Sequence, residues 1–215
     1  MKTIVVVGAG KGMGNHIAEK FAQNDFRVVL MARRAEALDE YVGEFEAKGF
    51  DAYGEVADVT DMESLTKAFD NVIAKFDSID VLVYNAAHMD AGNASKLTAD
   101  EMVEHFKTDV VGAQVSATKV IPVMKEQGEG AILFTGGLFG VHPNAFYEFA
   151  CMSMDKAALR QLVQMLNQEL ADDGIFAGIV NIMGVVGSDD VHQPSKIAEK
   201  YWELYTSRKD FEICY

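Results

Sequence analysis

Short unbroken apolar runs alternate with longer stretches in which apolar residues recur every three or four positions, from one end of the chain to the other. The short runs place strands at 3–7, 27–32, 51–56, 81–84, 131–135 and 176–182, with a brief seventh at 211–214. A strand covered on both faces has no polar side to display, so continuous apolar runs predict buried parallel strands. The periodic stretches near 13–24, 35–48, 61–75, 99–126, 152–172 and 195–206 predict helices. Thr60 with Glu63, and Thr98 with Glu101, have capping-box spacing and mark two helix starts. Pro122 lacks an N–H and predicts a kink in, or shortening of, the long fourth helix. Strands alternating with helices give an α/β fold of three layers around a doubly wound, mostly parallel sheet. No repeat, linker or low-complexity tract interrupts it, so residues 1–215 read as a single domain.

Composition narrows the functions. Hydrophobic residues make up 49% and charged residues 24% of the 215, the balance of a folded globular chain. The net charge of −14 repels phosphate backbones and anionic lipid, so neither a nucleic-acid nor a membrane partner is expected. Cys151 and Cys214 form no CxxC pair, so no disulfide framework and no metal site is expected, and a cytoplasmic location fits. Lys2 leads directly into a short apolar run and then glycines, too short to target or span a membrane.

The first strand runs into Gly8-Ala9-Gly10-Lys11-Gly12-Met13-Gly14, and an amphipathic helix follows. Glycines let the chain turn sharply and let its backbone approach a diphosphate, while the helix N-terminus offers free N–H groups and a positive dipole end. No Gly-Lys-Ser/Thr ending follows, which excludes a Walker loop. A strand–glycine turn–helix unit of this kind is a Rossmann-type dinucleotide site. An NAD site carries a carboxylate at the end of the second strand, whereas here stand Arg33 and Arg34. A guanidinium suits a 2′-phosphate, and Lys11 adds a second cation, so NADP(H) is expected over NAD(H).

The spacing of Gly8, Gly12 and Gly14 resembles that of the short-chain dehydrogenase/reductase family. Further matches follow in order: Asp58-Val59 resembles the family's adenine-contacting pair, Asn85-Ala86-Ala87 its Asn-Ala-Gly segment beside the cofactor, and Lys156-Ala157-Ala158-Leu159 its lysine helix. The resemblance implies hydride exchange between a nicotinamide and a small carbonyl or alcohol. It also implies a tyrosine as proton carrier, a lysine on the ribose, a serine on the substrate oxygen and an asparagine in the relay. Lys156 is present, but the tyrosine position holds Met152, the serine position Gly137 and the asparagine position Asp109. A thioether donates no proton and glycine has no side chain. Substitutes nearby are Tyr147, His142 and Glu148 on the loop before the lysine helix, His88 after the fourth strand, the Thr135 hydroxyl and, less suited, the Cys151 thiol.

The expectation is thus an NADP(H)-dependent oxidoreductase with a non-standard acid/base set acting on a small-molecule substrate. The alternative is a catalytically inactive dinucleotide-binding sensor or regulatory protein. The segment 185–194, where the family inserts a lid, is brief, so the pocket should be open or the substrate small. Ile197, Tyr201, Leu204 and Tyr205 form a stripe that reads as core. Family members pair through the long helix and the lysine helix. Val110, Val111, Ala113, Ala117 and Val120, with Leu159, Leu162, Val163 and Leu166, offer apolar surface for a homodimer or homotetramer.

Overall fold

The structure is a computed structural model that describes residues 1–141 and 146–215. Its strands are β1 (Lys2–Val7), β2 (Phe26–Ala32), β3 (Ala52–Val56), β4 (Val81–Tyr84), β5 (Gly130–Gly137), β6 (Ile175–Ile182) and β7 (Glu212–Cys214). They form one sheet in the order β3-β2-β1-β4-β5-β6-β7, with every neighbour parallel. The helices are α1 (Gly14–Ala22), α2 (Ala35–Ala47), α3 (Met62–Phe76), α4 (Ala99–Phe106), α5 (Gly112–Gln127), α6 (Leu138–Val141), α7 (Ala150–Glu169) and α8 (Pro194–Ser207). The alternation of β1 explains the three layers. Ile4 and Val6 point into a core shared with α1, α2 and α8, while Val5 and Val7 point into one shared with α3, α5 and α7. Each buried aliphatic side chain contributes about 1.5–3 kcal/mol, so both faces are needed to hold the sheet. The stripe on α8 is core, as expected: Ile197, Tyr201 and Leu204 are buried, and Trp202 and Tyr205 meet Phe21 and Phe26 edge-on or tilted.

The local expectations fare differently. The third helix is capped by Asp61, whose carboxylate accepts from the Glu63 and Ser64 N–H groups; the Thr60 hydroxyl instead bonds Asp58. Thr98 and Glu101 do form the expected capping box on α4. The stretch 99–126 is helical from end to end, as expected, but its hydrogen bonding shifts at Lys107–Val111, which form a π-helical turn, and α5 runs on through Pro122 without being shortened there. Across that turn the Gly112 N–H reaches back to the Lys107 carbonyl, so the Thr108 carbonyl is free to take the buried Tyr84 hydroxyl. A Cβ on Gly112 would lie 2.5 Å from that hydroxyl oxygen, so glycine lets α5 approach β4. π turns of this kind are common at functional sites.

The apolar residues expected to pair subunits are mostly core. Ala113, Ala117, Val120, Leu159, Val163 and Leu166 are buried in the core against the sheet, because strand-facing positions recur at the same helical spacing, and Val110 is buried outside it. The exposed apolar side chains of these helices are Met102, Val103, Phe106, Met154 and Met165. Among the described residues no helix is long and apolar enough to cross a membrane.

Candidate functional site

The sheet order reverses between β1 and β4: β2 and β3 lie on one side of β1, and the chain then crosses to β4 on the other. Such a switch point opens a crevice at the carboxyl ends of the strands. Here it is a cleft of about 440 Å³, lined by Gly8, Ala9, Met31, Ala32, Arg33, Ala57, Val59, Thr60, Asn85, Ala86, Ala87, His88, Glu104 and Thr108.

The four turn glycines divide into two kinds. Gly8 has φ +87°, and a Cβ there would lie 2.5 Å from the Ala86 nitrogen. A Cβ on Gly14 would lie 2.5 Å from the Gly8 carbonyl oxygen. These two shape the turn. Gly10 and Gly12 would meet nothing within 4 Å, so their faces are open to a ligand. The N-terminus of α1 has no side-chain cap and no acidic residue in its first turn, unlike α3 and α4. Its orphan N–H groups and positive dipole end therefore suit an anion. Met13 supplies the N-cap backbone, but its side chain is buried in the core.

Arg33 lines the cleft and is exposed; Arg34 sits at the N-cap of α2 and does not line it. Lys11 is engaged by two α2 carboxylates, Glu40 and Glu44. Val59 forms part of the wall, whereas the Asp58 carboxylate turns to Thr60. Burial pushes that carboxyl up, but the two Thr60 hydrogen bonds outweigh it and hold it below its usual range. The Asn85 amide donates to the Gly8 carbonyl and accepts from the Thr135 hydroxyl, tying β1, β4 and β5 together beside the cleft.

On the α7 side stands a buried charged cluster. The Lys156 ammonium lies 3.0 Å from an Asp109 carboxylate oxygen and donates to the Thr135 carbonyl at 3.2 Å. Asp109, on the π turn, is 0% exposed and also accepts the His88 N–H at 2.7 Å. Sequence reasoning missed two neighbours, His105 and Asp155. His105 is buried, stacks on His88 with ring centres 3.9 Å apart, and turns Nδ1 toward Asp155 at 4.0 Å. Burial and His88 push its imidazole below the usual range. Burial and the Asp109 carboxylate push Asp155 up to about 7, against the pull of Lys156 and His88. The available signals were local: His105 stands four residues before Asp109 on the same helical stretch, and Asp155 precedes Lys156.

The expected substitutes fare differently. Tyr147 is 67% exposed on a turn and lines neither the cleft nor the adjoining pocket; its phenol bonds Glu148, which raises its pKa. Thr135 cannot stand in for a serine at the cluster. Its hydroxyl points to the other layer and is held by Asn85 and by Tyr201 at 2.7 Å. Burial raises the Cys151 thiol, the opposite of an activated nucleophile. Met152 is buried, and Gly137 closes β5 with its nearest neighbour for a Cβ at an ordinary 3.6 Å. His142 lies outside the described residues. His88 borders both the cleft and an adjoining pocket of about 550 Å³.

The Asp155 shift fixes a sign. Its folded pKa near 7 lies above the unfolded value, so it costs nothing below pH 4 and lowers stability progressively as pH rises to about 7. Asp155→Asn removes that cost. In chelator-treated protein the variant should gain on the order of 2 kcal/mol over the parent at pH 8 and little at pH 4.5. Urea midpoints at the two pH values read it, and an equal difference at both would show that Asp155 does not titrate this way.

Comparisons with known proteins agree with this architecture. Residues 2–194 match the family model described as short chain dehydrogenase. A tropinone reductase homolog of Arabidopsis thaliana is 31% identical over 183 residues, covering 83% of this chain and 68% of its own. An uncharacterized oxidoreductase of Listeria monocytogenes is 29% identical over 181 residues, covering 84% and 72%. A short-chain dehydrogenase structure from Streptomyces avermitilis superposes with a TM-score of 0.90 at 26% identity, covering 99% of this chain and 87% of its own. A metagenomic short-chain oxidoreductase solved in complex with NADP gives 0.89 at 25% identity, covering 99% and 95%.

Proposed function

Since the chain belongs to the short chain dehydrogenase family, we propose that it is an oxidoreductase that prefers NADP(H) to NAD(H) and exchanges a hydride with a small carbonyl or alcohol. The observation that carries this is the cleft at the β1–β4 boundary. Gly8 and Ala9 of the glycine turn line it, the open backbone of Gly10 and Gly12 and the uncapped N-terminus of α1 follow directly along the chain, and its lining carries the exposed guanidinium of Arg33 where an NAD site would carry a carboxylate. The NADP named in the metagenomic relative's complex supports the same choice.

The coenzyme, when bound, supplies or takes the hydride. Gly10, Gly12 and the first turn of α1 hold its diphosphate. Arg33 holds the extra phosphate with several N–H donors; Lys11 could join only by leaving Glu40 and Glu44. Lys156, buried between Asp109 and the Thr135 carbonyl and not itself lining the cleft, is the residue this reading assigns to a ribose hydroxyl. Because Met152 and Gly137 bring no exchangeable proton, the substrate oxygen must be served from the His88 side of the cleft, which makes the acid/base set non-standard.

Two measurements test this. NADPH and NADH are titrated by fluorescence, and NADPH is then offered with a panel of aldehydes, ketones and quinones while its absorbance is followed. NADPH should bind at least about tenfold tighter and be consumed with some member of the panel. In Arg33→Asp, NADPH affinity should fall about 10–100-fold while NADH affinity changes little. Equal losses for both coenzymes would show that Arg33 does not read the phosphate. Tight NADPH binding without turnover across the panel would favour a sensor, the reading that Met152 and Gly137 support.

A further inference from the structure

We propose that His88, Asp90 and His105 form a site for a divalent transition-metal ion of the zinc class beside the coenzyme cleft. One ligand atom from each of the three lies within 4.8 Å of the others. A tetrahedral zinc site with bonds near 2.1 Å sets its ligand atoms roughly 3.4 Å apart, so closing the triangle needs the more exposed members to reorient. These are His88, one third exposed, and Asp90, three quarters exposed, both between β4 and α4. Asp90 Oδ2 already stands 2.9 Å from His88 Nε2.

His105 is the fixed member and the independent observation. It is buried on α4, and its Nδ1 has no hydrogen-bond partner yet stands 4.0 Å from the Asp155 carboxylate. Ligating histidines commonly donate one ring N–H to a carboxylate and offer the other nitrogen to the ion, and Asp155 is the carboxylate that would take that role once the two draw within hydrogen-bond distance. His105 and His88 stack face to face at one wall of a pocket of about 550 Å³, which Glu101, Glu104 and Cys151 also line; because a ring nitrogen's lone pair lies in the ring plane, His88 has to swing out of the stack for both rings to meet one ion.

Two nitrogens and one oxygen suit zinc, cobalt or nickel rather than magnesium or calcium, which take oxygen donors. Three protein ligands leave a position open toward the pocket, as in catalytic rather than structural zinc sites. The cysteine spacing, which led to the expectation of no metal, has no bearing on a histidine–carboxylate site drawn from a loop and a helix.

The test uses Co²⁺ alone, added to chelator-treated full-length protein and followed by its visible ligand-field bands, with Zn²⁺ as competitor. The parent should take up one equivalent that Zn²⁺ displaces and Mg²⁺ does not. His88→Gln and Asp90→Asn, both partly exposed, should each weaken uptake by at least about tenfold. His192→Gln, at a surface His–Asp pair in the loop before α8, should leave it unchanged. No ligand-field bands, or bands of equal strength in His88→Gln and Asp90→Asn, would overturn the proposal. NADPH titration of the same samples keeps the two readings apart: intact NADPH binding without cobalt uptake removes the metal site alone, and cobalt uptake without NADPH binding removes the coenzyme reading alone.

Discussion

Gly8→Ala and Gly14→Ala should each cost at least about 3 kcal/mol and give little folded protein, whereas Gly10→Ala and Gly12→Ala should fold within about 0.5 kcal/mol of the parent and lose NADPH binding by at least about tenfold. The division comes from what a single methyl group would meet. At Gly8 it would strike the Ala86 backbone at 2.5 Å in a conformation with φ +87°, and at Gly14 it would strike the Gly8 carbonyl at 2.5 Å. Neither partner is the end of a flexible side chain, so β1, α1 and the start of the loop after β4 would have to separate. At Gly10 and Gly12 the methyl would meet no protein atom within 4 Å, and their φ values lie outside the left-handed region. Its cost falls on whatever approaches the turn from outside. Chemical denaturation and NADPH fluorescence on the four variants give the answer. Parent-like NADPH affinity in both Gly10→Ala and Gly12→Ala would mean that the open faces do not receive the coenzyme.

That glycine turn was legible because its chemistry is local: a strand, four glycines and a helix within about twenty residues. Arg33 was legible for the same reason, since it follows directly on β2. The five inner strands of the sheet were legible from their apolar runs, because parallel strands buried on both faces show no polar alternation, whereas the edge strands β3 and β7 are only partly buried. The π turn was not. It depends on the Tyr84 hydroxyl meeting the Thr108 carbonyl, a contact between residues 24 apart, and no propensity at Lys107–Val111 announces it. Thr135 failed for a different reason, because its direction follows from strand parity. Phe134 lies in one core and Leu133 in the other, so Thr135 must face with Leu133 toward α8 and away from Lys156. His105 and Asp155 come together only when α4 packs on α7, which a single sequence does not display.

The deepest of these tertiary contacts is the ion pair of Lys156 and Asp109, and it yields the other large effect. Lys156→Met should lose about 3–5 kcal/mol at pH 8, because it leaves the Asp109 carboxylate buried without its cation. Activity lost in Lys156→Met or Lys156→Ala would therefore confuse a catalytic role with a structural one. Lys156→Met combined with Asp109→Asn separates them. The amide keeps an acceptor for the His88 N–H that Asp109 now receives, and residue 109 no longer carries a charge without its cation. This double variant should regain at least about half of the lost stability, since removing both members of a buried pair costs far less than removing one. It should still bind NADPH through the glycine turn and Arg33, yet show no turnover. A double variant no more stable than Lys156→Met would show that the two charges are not coupled. One that turns over NADPH like the parent would show that Lys156 serves the fold alone.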